Sequence, residues 1–188
     1  MKVVDNVHVY GLDFAVQGSK FPMSIDTESL NSEITKRTES LASAQTGSGH
    51  DQFLTGIIVQ FDLTFSNKAW VEAERYHFFD FISSQSTMHR ITKMDVKKQC
   101  NEFVDHDIIS ILQKKVEAYN AVPTPENYLR VLYNIPSGFQ LTARMTTNYR
   151  QLKTIYHQRR THRLPEWREF CHWIETLPHS EFITGVKP

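Results

Sequence analysis

Alternation of hydrophobic and polar residues predicts three stretches of strand in this chain. Residues 2–16 alternate, with Gly11 interpreted as a bulge, and residues 53–65 form a run of β-branched and aromatic side chains that is typical of a core strand. A third alternating stretch begins after Pro136 and leads to Asn148. The pattern therefore predicts an N-terminal strand unit, a central strand and a late strand.

Apolar residues at helical spacing separate and follow these strands. Helices are predicted over residues 67–81, 105–121 and 127–134, from Asn148 onward, and over residues 165–177. Asn67 and Asn148 are suitable N-caps, because an Asn side-chain oxygen can accept a free backbone N–H of the first turn. Pro125 and Pro165 suit first helical positions. Helices and strands thus intermingle along the chain.

Two polar segments lie between the predicted elements. Residues 26–44 are polar but compatible with a helix, and they lead to Gly47 and Gly49. These glycines either form a flexible loop or let the backbone approach a ligand closely. Residues 83–90 contain four hydroxyl groups and Arg90, and they form either an ordinary polar loop or an anion-binding one.

Composition and charge favour a globular protein. The 188 residues are 40% hydrophobic, so we expect a single domain over residues 1–188, with the strand unit of residues 1–25 packed on it. The 21 basic and 21 acidic residues give no net charge, so bulk charge does not favour nucleic-acid binding. No apolar run has the length of a membrane span, and no membrane partner is expected.

The cysteines and histidines indicate a cytoplasmic protein without a metal. Cys100 and Cys171 form no CxxC pair, which suits a reducing compartment, and the N-terminus lacks the order of a signal peptide. None of the nine histidines lies in an HExxH motif, and neither cysteine belongs to a cluster with zinc-site spacing. We therefore expect no metal site.

Basic residues concentrate at the end of the helix that begins at Asn148. Arg159, Arg160 and Arg163 lie where the helix dipole favours cations, so they are either solvated or part of an anion site. Asn148 and Arg159 are three turns apart and can line one edge of the helix. The stripe predicted to be buried consists of Leu152, Ile155 and Tyr156.

Several motifs keep a recognisable order. Gly49-His50 precedes the core strand, and Pro136 precedes a strand that leads into Asn148-x-Arg150-x-Leu152, with Arg159 further along the helix. This order and spacing resemble the flavin-dependent thymidylate synthase family, over residues 50–173. The family has a Gly-His step before a core strand, and a proline, a strand and Asn-x-Arg-x-Leu in its C-terminal half.

The middle of the chain matches the family less closely. The family has an Arg-His-Arg signature there, followed by a serine and a further arginine. An ungapped count from the Gly-His step places residues 75–77, which read Arg-Tyr-His, on the signature, whereas a count from Ser86 places residues 76–78 there. Ser86 and Arg90 follow at slightly longer spacing than in the family.

The resemblance implies a fold and a reaction. The fold is α+β, with a central mixed or antiparallel sheet and flanking helices, and the subunits form a homotetramer. FAD and dUMP would lie in sites shared between subunits. The reaction converts dUMP to dTMP, with methylenetetrahydrofolate as carbon donor, reduced flavin as hydride donor and NADPH as reductant. The chain would be an enzyme of this methyltransferase type, or one of closely related pyrimidine-nucleotide chemistry.

Residue roles are carried over from the same resemblance. Arg159 would be catalytic, since it corresponds to the arginine that contacts dUMP and polarises its uracil ring. The substrate-binding residues would be Arg75, Ser86, Arg90, Arg130 and Arg159. The cofactor-binding residues would be His50, His77, Asn148 and Arg150. The mechanism needs no nucleophilic cysteine, and Cys100 and Cys171 lie outside every motif.

Two other interpretations stay open. Tyr76, Met88 and Leu132 stand where the family has charge, although Arg130 is close to Leu132. These replacements favour a protein that keeps the fold and binds a nucleotide or a protein partner without flavin chemistry. A nucleic-acid-binding module would instead use the basic cluster formed by Arg159, Arg160, Arg163 and Arg168.

Overall fold

Four strands form one antiparallel sheet at the centre of the structure, a computed structural model that describes residues 2–185. They are β1 (Val4–Tyr10), β2 (Ile58–Ser66), β3 (Phe79–Ser84) and β4 (Gln140–Asn148), in the order β1-β2-β4-β3 across the sheet. β2 and β4 pair along their whole length, from Ile58 opposite Asn148 to Ser66 opposite Gln140. β1 and β3 are the edge strands of this described sheet.

Helices flank the sheet. In chain order they are α1 (Leu12–Gly18), α2 (Lys36–Ala42), α3 (Asn67–Ala73), α4 (Thr87–Arg90), α5 (Val96–Gln99), α6 (His106–Ala121), α7 (Pro125–Leu132), α8 (Tyr149–Arg159), α9 (Pro165–Ile174) and α10 (Glu181–Thr184). Short 3-10 turns lie at Phe21–Met23, Gln52–Gly56 and Ile91–Lys93. The predicted α+β class is confirmed, and the sheet is antiparallel. No helix within residues 2–185 has both the length and the apolar character of a membrane span.

One face of the sheet forms the base of the main core. Val59, Phe61, Leu63 and Phe65 are fully buried because alternate side chains of β2 point to this face. α8 and α9 pack over it, and their buried residues include Leu152, Ile155, Tyr156, Trp167 and Phe170. The stripe predicted for α8 is therefore confirmed.

A second, smaller core lies under α6 and α7. Its buried residues are Ile91, Val96, Ile109, Leu112, Val131 and Phe139. α6 matches the amphipathic helix predicted for residues 105–121. Thr124 caps α7 by accepting the Asn127 N–H at 3.2 Å, and Pro125 occupies the first turn as predicted.

The outward face of the sheet carries polar side-chain pairs. Asp62 on β2 accepts two hydrogen bonds from Arg144 on β4, at 2.7 and 2.8 Å. The hydrogen bonds from Arg144 and from Asn6 lower the pKa of the Asp62 carboxyl from 3.8 to about 2. This carboxylate therefore connects three elements in its ionised form.

The N-terminal strand is shorter than predicted. β1 ends at Tyr10, and Gly11 is not a bulge but the residue before α1, with a φ of 76°. The Gly11 carbonyl oxygen accepts a helical hydrogen bond from Ala15 N. A Cβ at this position would lie 2.5 Å from the Gly56 carbonyl oxygen, so glycine lets α1 pack closely on the Gln52–Gly56 turn.

The helix predicted over residues 67–81 is too long. α3 ends at Ala73, and Phe78, with a φ of 57°, turns the chain into β3. The aromatic residues after Ala73 suit a strand as well as a helix, and pairing with β4 selects the strand. Ser66 rather than Asn67 caps α3, since its hydroxyl accepts the Ala69 N–H at 3.3 Å.

Two further boundaries differ from the prediction. The strand predicted over residues 53–65 begins only at Ile58, because the Gln52–Gly56 segment forms a 3-10 turn. The last predicted helix begins at Pro165 as expected but ends at Ile174, and α10 follows it. Both differences lie at element ends, where local sequence signals are weakest.

Candidate functional site

The N-terminus of α8 lies at the end of β4. Asn148 ends the strand and caps the helix, since its side-chain oxygen accepts the Gln151 N–H at 2.9 Å. The Tyr149 N–H donates to the Ile57 carbonyl oxygen at 3.0 Å and ties the helix to the start of β2. The predicted N-cap is confirmed. Within residues 2–185 the Asn148 amide nitrogen donates no hydrogen bond, yet it is not fully enclosed.

A buried ion cluster supports this end of the helix. Asp51 is fully buried, and its carboxylate accepts hydrogen bonds from Arg150 Nε at 3.1 Å and from Lys153 Nζ at 3.2 Å. The Lys153 ammonium also donates to the carbonyl oxygens of Ala42 and Ala44, at 2.7 and 2.6 Å. One buried ammonium therefore ties α8 to both ends of the loop of residues 42–51.

A cavity of about 570 Å³ lies between α1, α2 and the Gln52–Gly56 turn. Gly49, His50, Arg37 and Phe53 are among the residues that line it. Gly49 has a φ of 82°, and no heavy atom lies within 4 Å of the position that its Cβ would take. A cavity of this size can hold a small ligand or part of a cofactor. His50 also directly precedes the buried Asp51, so the ion cluster fixes one wall of the cavity.

His77 and Arg75 lie in the segment that joins α3 to β3, and both are exposed. Phe79, two residues after His77, pairs with Thr147 on β4. His77 is therefore at the same end of the sheet as Asn148. The structure brings His50, His77, Asn148 and Arg150 to this end, which are the four residues with a predicted cofactor role.

Arg159 is buried in the corner between α3, α8 and α9, so the solvated interpretation is wrong for this residue. Its Nε donates to the Tyr76 hydroxyl at 2.6 Å, and its Nη1 donates to Glu72 at 2.8 Å. The guanidinium carbon lies 4.8 Å from the centre of the Trp167 ring, a cation–π distance. Arg160 and Arg163 are exposed. Arg159 is thus held on three sides.

Two donors in this corner stay without an acceptor. Arg159 Nη2 and Trp167 Nε1 are buried and have no hydrogen-bond partner among the described residues. Buried N–H groups are nearly always paired, and an unpaired one is costly. The corner therefore has the donors for an additional acceptor oxygen.

Glu72 is the counter-ion of Arg159. Lys68 Nζ lies 3.4 Å from one of its carboxylate oxygens, and His162 Nε2 lies 3.1 Å from the other. Burial opposes ionisation of Glu72, but His162, Lys68 and Arg159 outweigh it and lower the pKa of this carboxyl. Glu72 is therefore ionised at neutral pH.

His162 faces Glu72 as a neutral ring. Burial lowers the pKa of His162, and the positive charges of Arg159, Arg168 and Arg75 act in the same direction, although Glu72 opposes them. Its Nδ1 accepts the Leu164 N–H at 3.2 Å. The proton of the neutral ring is therefore on Nε2, which donates to Glu72.

Ser86, Arg90 and Arg130 lie toward the opposite end of the sheet. Ser86 directly precedes the short helix α4, which follows β3, and Arg90 is the last residue of that helix. Arg130 on α7 pairs with Glu126 at 2.6 Å on an exposed surface. Tyr128 on the same helix donates to a backbone carbonyl of α4 at 2.7 Å. α4 and α7 are thereby joined, and the three candidate residues fall in one region.

β4 separates this region from the cofactor candidates. Asn148 is at one end of β4, and Ala143, which pairs with Ser84, is five residues before it. Five residues of strand span about 17 Å, at about 3.4 Å per residue. The predicted site residues therefore do not meet in one pocket of one copy of the chain.

Sequence reasoning missed Asp51, Lys153 and Glu72. Lys153 follows Leu152 on the buried side of α8, and a lysine within an apolar stripe is a signal that could have revealed it. Asp51 directly follows His50, but nothing in the sequence predicts its burial. Glu72 lies near the end of α3, and no sequence signal pairs it with Arg159.

Neither cysteine is suited to nucleophilic attack. Burial raises the pKa of the Cys171 thiol to about 12 and also raises the pKa of Cys100. Both are therefore protonated thiols at neutral pH. Among the described residues, no three His, Cys, Asp or Glu side chains form a group that could hold a metal ion.

Comparison with solved structures identifies the fold. The chain is similar to the flavin-dependent thymidylate synthase ThyX from Helicobacter pylori complexed with FAD and dUMP, with a TM-score of 0.72 and 16% identity over 98% of this chain and 99% of that chain. A second structure of thymidylate synthase X from the same organism, with FAD and dUMP, gives a TM-score of 0.68 and 15% identity over 96% of this chain and 98% of that chain. No protein-family model and no curated protein matches the chain. The ThyX-like fold is thereby confirmed.

Proposed function

We propose that this chain with a ThyX-like fold binds FAD and acts on a pyrimidine nucleotide as an enzyme. The observation that carries the proposal is the cavity of about 570 Å³ that Gly49 and His50 line. The structural neighbours were solved with FAD and dUMP. The reaction we propose is conversion of dUMP to dTMP, with methylenetetrahydrofolate as carbon donor, reduced flavin as hydride donor and NADPH as reductant.

The residues at the start of α8 fit a flavin nucleotide. Arg150 donates a hydrogen bond from its Nε to Asp51, and within residues 2–185 its two terminal nitrogens have no hydrogen-bond partner. The Asn148 amide also keeps its donors. Free donors at a helix N-terminus favour phosphate and carbonyl oxygens, which FAD carries. The apolar Phe53 and the imidazole of His50 in the nearby cavity suit a flat heterocycle.

Arg159 fits a pyrimidine ring better than a phosphate. Its Nη2 is unpaired, so one donor is left for a ring carbonyl oxygen. A cation that holds this oxygen stabilises negative charge on the ring when C5 acts as the nucleophile. Reduced flavin would supply the hydride when it is bound. The chain's own contribution is to position the ring and to stabilise its charge.

The two groups of candidates indicate a site built from more than one copy. The cofactor candidates lie near Asn148. Ser86 and Arg90 instead follow β3, whose last residue Ser84 pairs with Ala143, about 17 Å from Asn148 along β4. Arg130 lies on α7, which Tyr128 joins to α4. We propose that a homotetramer in the cytoplasm brings the two groups together. Arg75 would contribute from the exposed segment between α3 and β3.

FAD binding is the first test. Purified protein is mixed with FAD, and bound flavin is measured by its absorption and by quenching of its fluorescence. Gln52→Trp places an indole against the cavity and is expected to weaken FAD binding about tenfold or more. Gln113→Trp makes the same change at an exposed position of α6 and serves as the control.

Two results would contradict FAD binding at this cavity. One is a wild-type protein that binds no added FAD. The other is a Gln52→Trp variant that binds FAD as tightly as the Gln113→Trp control. Formation of dTMP from dUMP, methylenetetrahydrofolate and NADPH by the FAD-loaded protein then tests the proposed reaction.

A specific contact favours a second candidate function. Glu72 neutralises Arg159 at 2.8 Å, so the guanidinium is not free as an electrophile. A protein that keeps the fold and binds a nucleotide or a protein partner without flavin chemistry would tolerate this pairing. Nucleotide binding without dTMP formation would select this second function.

A further inference from the structure

A buried carboxylate faces a cavity at the start of α9. Glu166 lies in the first turn of this helix and is only 2% exposed. One carboxylate oxygen, Oε1, accepts a hydrogen bond from the Ser66 hydroxyl at 2.7 Å. The other oxygen, Oε2, accepts none within residues 2–185, and it is not enclosed by protein. A buried carboxylate usually has a charged partner, yet among the described residues Glu166 forms no ion pair.

The cavity in front of this carboxylate has a volume of about 370 Å³, and we call it the Glu166 cavity. It lies between α9, the start of α3 and the loop of residues 101–104. Its lining includes the apolar Phe103, Leu164 and Pro165 and the basic Lys68 and Arg163. A cavity of this size can hold a small ligand.

Close packing fixes the loop that forms one wall of the Glu166 cavity. Asn101 N donates to the Gly138 carbonyl oxygen at 3.0 Å, and Phe103 N donates to Asn101 Oδ1 at 3.2 Å. A Cβ on Gly138 would lie 2.4 Å from Val104 Cγ2, so glycine is required for this approach. Phe103 itself is 71% exposed. The loop therefore presents an uncovered aromatic ring at the cavity.

Charge is distributed unevenly around the Glu166 cavity. An adjoining cavity of about 340 Å³ is also lined by Glu166, and it adds the acidic Glu102. Lys68 and Arg163 line the Glu166 cavity and not the adjoining one. Lys68 contacts Glu72 at 3.4 Å, but Arg163 is exposed and forms no ion pair in the part of the chain that the structure describes. Acidic charge thus lies on one side and an unpaired guanidinium on the other.

We propose that the Glu166 cavity binds an α-amino acid with a large apolar side chain. The ammonium group of the ligand donates to Glu166 Oε2 and supplies the missing partner charge. Its carboxylate faces the guanidinium of Arg163, whose planar fork matches a carboxylate. Its side chain packs on Phe103 and Pro165. A simple cation leaves Arg163 without a partner, and a simple anion meets the like charge of Glu166.

This site does not depend on the proposed function. It lies at the Ser66 end of β2, whereas the cavity that Gly49 and His50 line lies before the other end of this strand. The strand from Ile58 to Ser66 spans about 27 Å, at about 3.4 Å per residue. Failure of this inference therefore leaves FAD binding untested, and loss of FAD binding does not reject this inference.

Nuclear magnetic resonance titration of isotopically labelled protein with L-phenylalanine tests the proposal. Phenylpropionate lacks the ammonium group and phenethylamine lacks the carboxylate, so the ligands share one ring and differ in charge. L-Phenylalanine is expected to shift the backbone amide signals of Phe103 and Glu166 saturably, with a Kd of about 1 mM or below. Each of the other two ligands should bind about tenfold more weakly.

A matched pair of variants tests the role of the carboxylate. Glu166→Gln removes the charge but keeps an acceptor for the Ser66 hydroxyl. It is expected to weaken binding of L-phenylalanine about tenfold or more, whereas binding of phenylpropionate should not weaken. Glu169→Gln removes the same charge from the same helix but lines neither cavity, and it should behave like wild type. The remaining amide signals show whether each variant is folded.

Several results would overturn the proposal. One is the absence of saturable shifts at Phe103 and Glu166 with up to about 10 mM L-phenylalanine. Another is equal affinity of wild-type protein for L-phenylalanine and for either of the other two ligands. A third is a folded Glu166→Gln variant that binds L-phenylalanine as tightly as Glu169→Gln does. The comparison of ligands uses wild-type protein, so it decides the question even if Glu166→Gln does not fold.

Discussion

The Lys153 ammonium lies 3.2 Å from the Asp51 carboxylate, and both side chains are buried. The carbonyl oxygens of Ala42 and Ala44 take further hydrogen bonds from the ammonium, and Arg150 binds the other oxygen of Asp51. A buried charge pair is stable only when its remaining polar atoms are satisfied in this way. The pair therefore fixes the loop that carries His50.

Substitution Lys153→Met should destabilise the protein. Asp51 would stay buried with Arg150 as its charged partner, and loss of one member of a buried pair typically costs about 3–5 kcal/mol. Urea denaturation measures this loss as a fall in the free energy of unfolding. Lys114→Met, at an exposed position of α6, is the matched control. Equal stability of the two variants would contradict the structural role of Lys153.

Stability should decrease in acid partly through Asp62. Its folded pKa is about 2, below the ordinary value of 3.8, so its stabilising contribution is full above 3.8 and is lost as the pH falls toward 2. Solvent screening limits this contribution to about 1 kcal/mol or less. Unfolding of Asp62→Asn should depend less on pH in this window than unfolding of Asp80→Asn, an exposed control on β3. Identical pH profiles would rule out the effect.

Two substitutions of Asn148 separate its two roles. Asn148→Ala removes the cap and should cost about 1 kcal/mol of stability, while FAD binding also weakens. Asn148→Asp keeps an acceptor for the Gln151 N–H but removes the amide donors, so stability should be kept and FAD affinity lost. Thermal unfolding and FAD titration measure the two effects. Full FAD retention by both variants would show that Asn148 has no cofactor role.

Substitution Arg159→Ala should abolish turnover while FAD stays bound. The side chain holds Glu72 and Tyr76 at the corner of α3 and α8, whereas Asn148 and Arg150 lie at the other end of α8. dTMP formation and flavin absorption are measured on the same sample. Arg160→Ala, one residue further and exposed, should keep both. Normal turnover by Arg159→Ala would remove the catalytic role.

Local signals predicted several elements of the fold correctly. α6 and α8 carry clear amphipathic patterns, and Asn148 and Pro125 occupy the helix ends where such residues are favoured. The ends predicted for β1 and α3 were wrong. At Gly11 and Ala73 the chain changes direction because of close packing and strand pairing, and neither is a local property of the sequence.

The candidate site was predictable only in part. Asn148 and Arg150 belong to a short motif whose resemblance to a known family predicts a cofactor role, and the structure places both at the start of α8. Lys153 and Asp51 are 102 residues apart, and Arg159 and Glu72 are 87 apart, so their pairing depends on the complete fold. The sequence allowed Arg159 to be exposed to solvent. In the structure its side chain is buried, because Glu72, Tyr76 and Trp167 surround it.

In the homotetramer that we propose, the separation of the candidate residues along β4 would make catalysis a property of the assembly. Dilution that dissociates the copies should then extinguish turnover while each copy remains folded. A mixture of two inactive variants, one altered at Asn148 and one at Arg90, should regain some turnover by intersubunit complementation. In such hybrid assemblies, some sites would contain an intact Asn148 from one copy and an intact Arg90 from another.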